Sequence, residues 1–330
     1  MSKDNSQAVQ NENANISYTD FFLLAFPGLQ KSRSLLAIPF FCIYLLILLA
    51  NSMLIYIVKV ENSLHSPMYL LIALLLVVNM FGTTTVLPKM LLSFVFGTSS
   101  ISLAGCLVQM FFLYLALMLD TGILLMMALD RYVAICHPLR YADILTNRNL
   151  TFLMLATLVR SVCIVSPVVI LASRVQFCRS NIIEHFACEH MALMKLSCGD
   201  TSKNRIVGMA VRSLTITFDL VFLTISYSKI ILAALKMASG SARHKAFHTC
   251  STHLIVLFIG YSSCLSSSVV FRVARSATQD VHNLLSAVYL LVPWAINPVI
   301  YGMRTKEIKD SLLKLFQRKS TPFLLQKSGT

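Results

Sequence analysis

Seven times along this chain an apolar run opens and closes between short polar segments. The runs cover residues 35–58, 68–92, 103–135, 150–172, 206–235, 247–271 and 281–303. A helix needs about 20 apolar residues to cross the hydrocarbon core of a bilayer, so each run predicts one transmembrane helix. The fifth is the least clean, because Arg212 and Asp219 interrupt it. The polar connections are mostly short, so no soluble domain is inserted. The pattern predicts an all-α membrane protein, a seven-helix transmembrane bundle over 35–303. An outer tail precedes it over 1–34, and a cytoplasmic segment follows over 304–330.

Within that frame the polar exceptions carry most of the information. Asn51, Asn79 and Asp120 sit inside the first three runs and Asn297 inside the seventh. Lipid cannot satisfy their hydrogen bonds, so these residues are expected to face the bundle interior as a polar core. The second run is expected to close at Pro88-Lys89, and Pro67 suits the first turn of its helix. Pro293 and Pro298 fall inside the seventh run and predict kinks. The aromatic stretch 21–29, ending in Pro27-Gly28, is expected to lie at the outer interface. Beyond the seventh run, Lys306, Lys309, Lys314, Arg318 and Lys319 alternate with Ile308, Leu312, Leu313, Leu315 and Phe316. That alternation predicts a short amphipathic helix on the lipid of the inner leaflet.

Composition agrees with the class: 56% of the 330 residues are hydrophobic and only 13% charged. The net charge of +14 changes the picture less than its size suggests. Threaded through seven spans, Lys59, Arg140, Arg148, Lys229, Lys236, Arg243, Lys245, Arg304 and the basic residues of the C-terminal helix all fall on one side. The positive-inside rule places that side, and the C-terminus, in the cytosol, with the N-terminus outside. Topology accounts for the charge, and nucleic acid is excluded as a partner. The sequon at Asn15 is then extracellular and open to glycosylation, whereas the sequon at Asn149 is cytosolic and silent. The polar N-terminal segment lacks the apolar core of a signal peptide, so the first span targets the chain to the plasma membrane.

Candidate chemistry thins out quickly. The outer loop between the fourth and fifth spans carries Cys178, Cys188 and Cys198, and Cys106 starts the third span on the same side. Four extracellular cysteines are expected to pair, with three connectivities open. Cys42, Cys136, Cys163, Cys250 and Cys264 lie in or below the membrane and read as small packing residues. Glu184, His185, Cys188, Glu189 and His190 offer ligand types without zinc-site spacing, so no metal site is expected. Asp120-Thr121-Gly122 spells the aspartic-protease triplet but has no second acid partner. Without a nucleophile elbow or a phosphate-binding glycine loop, an enzyme is not expected. A transporter or channel would predict internal repeats or charged pore rings, and neither is present in the sequence.

The most informative segment ends the third span: Met127-Ala128-Leu129-Asp130-Arg131-Tyr132-Val133-Ala134-Ile135-Cys136-His137-Pro138. It resembles the vertebrate odorant receptors, a branch of the rhodopsin-like G-protein-coupled receptors. Leu64-His65-Ser66-Pro67-Met68-Tyr69, Ser226-Tyr227, Lys245-Ala246-Phe247-His248-Thr249-Cys250 and Pro293-Trp294-Ala295-Ile296-Asn297-Pro298-Val299-Ile300-Tyr301 carry the resemblance in the family's order. Lys195–Thr201 within the outer loop is similar to the class I, or fish-like, branch.

The resemblance implies an olfactory receptor that binds small odorants and couples to a heterotrimeric stimulatory G protein, raising cyclic AMP. A rhodopsin-like receptor for a non-odorant small molecule fits the same residues. It implies the pairs Cys106–Cys188 and Cys178–Cys198. It makes Asp130, Arg131 and Tyr132 the output switch, with Arg131 held by Asp130 at rest and met by Tyr227 and Tyr301 when active, and Asn297 and Pro298 in the hinge. It implies a ligand site between the outer halves of helices three, five and six, under the cysteine-bearing loop. Turn-counting from Arg131 places Leu113, Tyr114, Leu117 and Met118 there, with Cys264, Leu265, Ser268 and Arg272 on helix six. Ser268 and Arg272 are one turn apart and suit the carboxylate of a short acid. The chain departs from the family at Ala50, where a glycine often precedes Asn51, at Asn79, where an aspartate is usual, and at Asp120, where many members have a glutamate. Only Asp120 is left to attract a sodium ion, so binding there is expected to be weak.

Overall fold

The computed structural model describes residues 17–97, 99–273 and 278–325, with side chains described at 17–97, 99–265 and 278–315. Seven long helices follow in order: α1 (Arg33–Val60), α2 (Pro67–Phe96), α3 (Leu103–Cys136), α4 (Asn147–Ser173), α5 (Ser202–Leu235), α6 (Gly240–Val273) and α7 (Gln279–Arg304). A further helix, α8 (Lys306–Leu325), ends the chain. Among the described residues, α1 to α5 and α7 are long and apolar enough to cross a membrane. Helix α3 is the central element and touches α2, α4, α5 and α6.

The distribution of side chains is that of a bundle in lipid. Leu49, Leu214, Phe218 and Phe258 point outward, whereas Asn51, Asn79, Asp219 and Asn297 are buried. An apolar exterior over a polar interior is unfavourable in water and stable in a bilayer. The interruption of the fifth run dissolves in this geometry. Arg212 and Asp219 are seven residues apart, two helical turns, so both project from one face of α5.

Helix ends follow local chemistry. Ser102 Oγ accepts from Gly105 N at the start of α3, and Thr146 Oγ1 accepts from Asn149 N at the start of α4, each satisfying a donor that the first turn leaves open. Pro67 opens α2, and Gly97, at φ 69°, ends it. The expected stop at Pro88-Lys89 is overturned: α2 continues about two turns, to Phe96. A proline frees backbone carbonyls one turn earlier, and Gln109 Nε2 on α3 donates to one of them, Thr85 O, at 3.0 Å. The helix therefore tolerates the ring. In α7, Asn51 Nδ2 reaches Trp294 O, the carbonyl four residues before Pro298, at 3.4 Å.

One expectation fails at the bundle end where α3 starts, the outer end in the expected topology. There the all-α bundle also carries a small cap, a three-stranded sheet in the order β2 (Ser100–Ser102), β1 (Asp20–Leu23), β3 (Ile182–Ile183). β1 runs antiparallel to β2, with Phe21 opposite Ile101, and parallel to β3, with Phe22 opposite Ile182. The stretch 21–29 does not lie along the interface. Phe21, Leu23 and Phe26 are buried, and Phe21 meets Phe177 edge-on at 5.5 Å. Above the membrane, backbone groups satisfy one another by strand pairing, and the alternation in Asp20–Leu23 turns Phe21 and Leu23 inward.

At the opposite end, α8 packs on α7 and α1. Ile308 is buried and Leu312 partly so, while Lys306, Lys309 and Lys314 are exposed. The described half of α8 is thus two-faced, as its alternation predicts.

Candidate functional site

The described functional residues form three layers. In the middle layer, three asparagines make a chain. Asn79 Nδ2 donates to Asn51 Oδ1 at 3.1 Å, and Asn297 Nδ2 lies 3.5 Å from Asn79 Oδ1. Asn51 also donates to Ile47 O at 2.7 Å. Asp120 is buried nearby, an electrostatic neighbour of Tyr261 and Tyr301, and its Oδ1 has no hydrogen-bond partner among the described residues. The asparagines spend their carbonyls on each other, leaving one carboxylate rather than the several oxygens a hard cation gathers. The residues present do not fit a sodium ion.

Just outside that layer is a constellation the sequence reading missed. Arg160 Nη2 on α4 donates to Asp219 Oδ1 on α5 at 2.9 Å, and Tyr261 OH on α6 donates to Asp219 Oδ2 at 3.0 Å. One buried carboxylate therefore ties three helices. The apolar packing beside the asparagine chain is tight: a Cβ on Gly82 would come within 2.6 Å of Trp294.

In the inner layer, Asp130 is fully buried and doubly engaged. Arg131 donates to Asp130 Oδ2 through Nε at 2.9 Å and through Nη2, and Tyr141 OH donates to Asp130 Oδ1 at 2.8 Å. Tyr141 lies in the short inner-loop helix Tyr141–Ile144. Burial, and then the Asp130 charge, push the Tyr141 hydroxyl above its ordinary pKa, so it remains a donor. Tyr132 lies beside His137, with ring centroids 5.6 Å apart. Tyr227 OH is hydrogen-bonded to His253 Nδ1 on α6, and Tyr301 OH points at Met127 Sδ at 3.9 Å. Arg304 on α7 grips Ser251 and Thr252 of α6 at 3.0 and 3.2 Å. α6 is thus held inward from two sides while Arg131 is held by its own neighbour.

The outer layer contains most of the nominated ligand residues. Leu113 is buried against Phe186 of the outer loop, and Leu117 packs beside it. Met118 is half-buried. Tyr114 OH donates to Glu189 Oε1 at 3.3 Å and accepts from His190 N at 3.0 Å, so it clamps the loop to α3. Cys264 receives Arg212 Nη2, at 3.1 Å to its carbonyl and 3.3 Å to its sulfur. Leu265 is exposed. The side chains of Ser268 and Arg272, and the sequon at Asn15, lie outside the described residues. Arg212, Glu189 and Tyr289 were not nominated from sequence. The signal for Arg212 was its two-turn spacing from Asp219.

Two disulfides close the loop over this layer, Cys106–Cys188 and Cys178–Cys198. Gln109 Oε1 accepts from Cys188 N at 2.9 Å, fixing the loop on the same glutamine that caps the α2 kink. His185 is buried, with its ring stacked on Phe186 at 4.4 Å. Burial lowers the pKa of His185, and burial also lowers that of His190, against the raising effect of Glu189. Gln279 Nε2 donates to Glu184 O at 2.8 Å, joining α7 to the loop.

Comparison with known proteins bears on what these layers are for. The olfactory receptor family model matches residues 40–319. Human olfactory receptor 52K1 is 44% identical over 300 residues, spanning 91% of this chain and 96% of that protein. Human olfactory receptor 52N2 is 37% identical over 329 residues, 99% of this chain and all of that protein. Rat olfactory receptor 51E2 is 39% identical over 303 residues, 92% of this chain and 95% of that protein. A seven-helix bundle with a polar spine, a cysteine-locked outer cap and a buried Asp130–Arg131 pair belongs, on this evidence, to the class I olfactory receptors: multi-pass membrane G-protein-coupled receptors rather than enzymes.

Proposed function

We propose that small odorants, short carboxylic acids among them, bind in the outer layer and that the inner layer passes the signal to a stimulatory G protein, raising cyclic AMP. The observation that carries this reading is the closed inner latch. Asp130 holds Arg131, while Tyr227 and Tyr301, the groups that would meet Arg131 in an active arrangement, are engaged with His253 and Met127. A ligand that binds better when α6 has swung outward shifts the population toward the open form without touching the latch. Leu113, Tyr114, Leu117, Met118, Cys264, Leu265, Ser268 and Arg272 are the proposed ligand contacts, with Ser268 and Arg272 offered to the acid. The N-terminus is proposed to be outside and the C-terminus inside, which puts the latch at the G protein.

The test is a cyclic AMP readout in cells that carry a stimulatory G protein and display the receptor at the surface. A panel of short acids, alcohols, aldehydes and esters is applied to the wild type and to Arg131→Ala. The expected result is a response to at least one panel member that Arg131→Ala abolishes while binding of the same odorant persists. A response that survives Arg131→Ala, or loss of binding together with signal, would refute the latch.

A further inference from the structure

Of the arginines in α3, α4 and α5, three are partly buried, Arg131, Arg160 and Arg212, and their charges are treated differently. Arg131 is paired with the Asp130 carboxylate and Arg160 with Asp219. Those are the only Lys/Arg–carboxylate pairs within 4.0 Å among the described residues. Arg212 is the exception. It lies ten residues into α5, about 15 Å below the outer helix end at 1.5 Å per residue, and is partly buried. Nη2 alone donates among the described residues, to the Cys264 carbonyl and sulfur. Nε and Nη1 are left without partners there.

A cation at this depth is costly unless an anion or a set of acceptors meets it. Glu189 of the outer loop forms no ion pair with it: Glu189 Oε1 accepts from Tyr114 OH on α3 and Oε2 from Ala192 N within the loop. The surroundings of Arg212 are instead Tyr114 of α3 and Tyr289 of α7, both electrostatic neighbours, and Cys264 of α6. The face of α5 that carries Arg212 also carries Asp219, which is buried against α4 and α6. An unspent guanidinium among two tyrosines, in the layer lined by Leu113 and Leu117, is an anion site next to an apolar one.

We propose that Arg212 sets the charge preference of this receptor. It takes the carboxylate of a small monocarboxylic acid on a guanidinium N–H that the chain leaves open, at Nε or at Nη1, with Tyr114 and Tyr289 flanking the head group. This inference rests on reading the outer layer as the odorant site. It assigns the acid's charge preference to α5 and leaves Arg272 of α6 as a further polar contact, so Arg272→Ala is expected to weaken acid and amide alike and to keep the ratio. A carboxylate suits this place better than a neutral carbonyl, because only a charged acceptor offsets the burial of the cation. Ligand binding then supplies the pairing that the folded chain leaves incomplete.

The experiment uses the full-length receptor at the cell surface with a cyclic AMP readout. The probes are short straight-chain carboxylic acids, each compared with its primary amide and the alcohol of equal chain length. The variants are Arg212→Gln, Arg212→Lys and, separately, Arg272→Ala. The wild type is expected to prefer an acid to its amide by about tenfold or more in half-maximal concentration, a difference of ~1.4 kcal/mol. Arg212→Gln is expected to erase that ratio, with the acid weakened and the amide little changed, and Arg212→Lys to keep part of it. The acid-to-amide comparison on the wild type requires no variant. Arg212→Lys decides the matter should Arg212→Gln fail to reach the surface. An acid-to-amide ratio that survives at Arg212→Gln, or stays at its full wild-type value at Arg212→Lys, overturns the proposal, as does a wild type that answers only uncharged odorants. Silence to acids, amides and alcohols alike overturns it too, and is the one outcome that also removes the odorant reading on which it rests.

Discussion

Asp219→Ala should be among the most damaging single substitutions in the membrane interior, for a reason that fixes both its size and its remedy. The Asp219 carboxylate is buried and joins Arg160 of α4 to Tyr261 of α6. Removing it strands Arg160, whose side chain is 28% exposed and whose guanidinium carbon stands 5.7 Å from the Phe218 ring centroid. Breaking a buried pair by deleting one partner costs about 3–5 kcal/mol. The partial exposure of Arg160 favours the lower end, about 3 kcal/mol. Tyr261→Phe leaves the ion pair intact and removes one interhelical hydrogen bond, worth about 0.6–1.7 kcal/mol in a membrane. The double variant Arg160→Met with Asp219→Ala removes both charges and should recover much of the loss, since apolar replacement of a whole buried pair is often neutral. The assay is apparent melting of purified receptor in lipid nanodiscs at one fixed heating rate, because unfolding of such proteins is irreversible. At about 2–4 °C per kcal/mol, Asp219→Ala should melt about 6–12 °C early and Tyr261→Phe about 1–7 °C early. A double variant no more stable than Asp219→Ala alone would refute the argument, because stranded charge would not then be the cause.

Tyr141→Phe removes the second hydrogen bond to Asp130 and loosens the latch from the loop side. Agonist-free cyclic AMP should rise, by up to about tenfold for ~1.4 kcal/mol of lost restraint, and an unchanged basal signal at equal surface density would rule this role out. The outer cap should weaken in acid. The folded pKa of His185 lies below the ordinary value of about 6.5, so the cap's stability is complete above that value. It declines as pH falls toward the folded pKa, because only the opened loop takes the proton. His190 shares the direction, with Glu189 opposing it. Melting temperatures at pH 7.4 and 5.0 should differ less in His185→Asn than in the wild type, and equal differences would remove His185 as the source.

How much could be read from residues alone depended on whether the signal was periodic or reciprocal. The seven helices were legible because about 20 apolar residues in a row have few alternatives, and the inward asparagines because lipid offers them no partner. The extension of α2 past Pro88 was not legible. The residue that makes it tolerable, Gln109, lies on another helix and does so by donating its side-chain amide to a backbone carbonyl. Arg160, Arg212 and Asp219 were visible as interruptions, but pairing is a property of two positions in space. Nothing in the spacing of Arg160 and Asp219, 59 residues apart, announces a bond. The outer sheet escaped for a similar reason, since its strands are two to four residues long and belong to three separate loops.

The sheet also sets an order of assembly. Ser17 bonds to Phe177, 160 residues further along, and β1 can gain its parallel neighbour only when β3 emerges. At roughly 5–20 residues per second of synthesis, the N-terminal strand waits about 8–32 s with one edge unsatisfied, while four helices enter the membrane beside it. An unpaired strand with Phe21 and Leu23 uncovered is a surface that other chains can join. The cap is therefore a late-closing part of the receptor as well as its lid. The yield of receptor leaving the secretory pathway should respond to substitutions in Asp20–Leu23 that leave signalling by the receptors already at the surface unaltered.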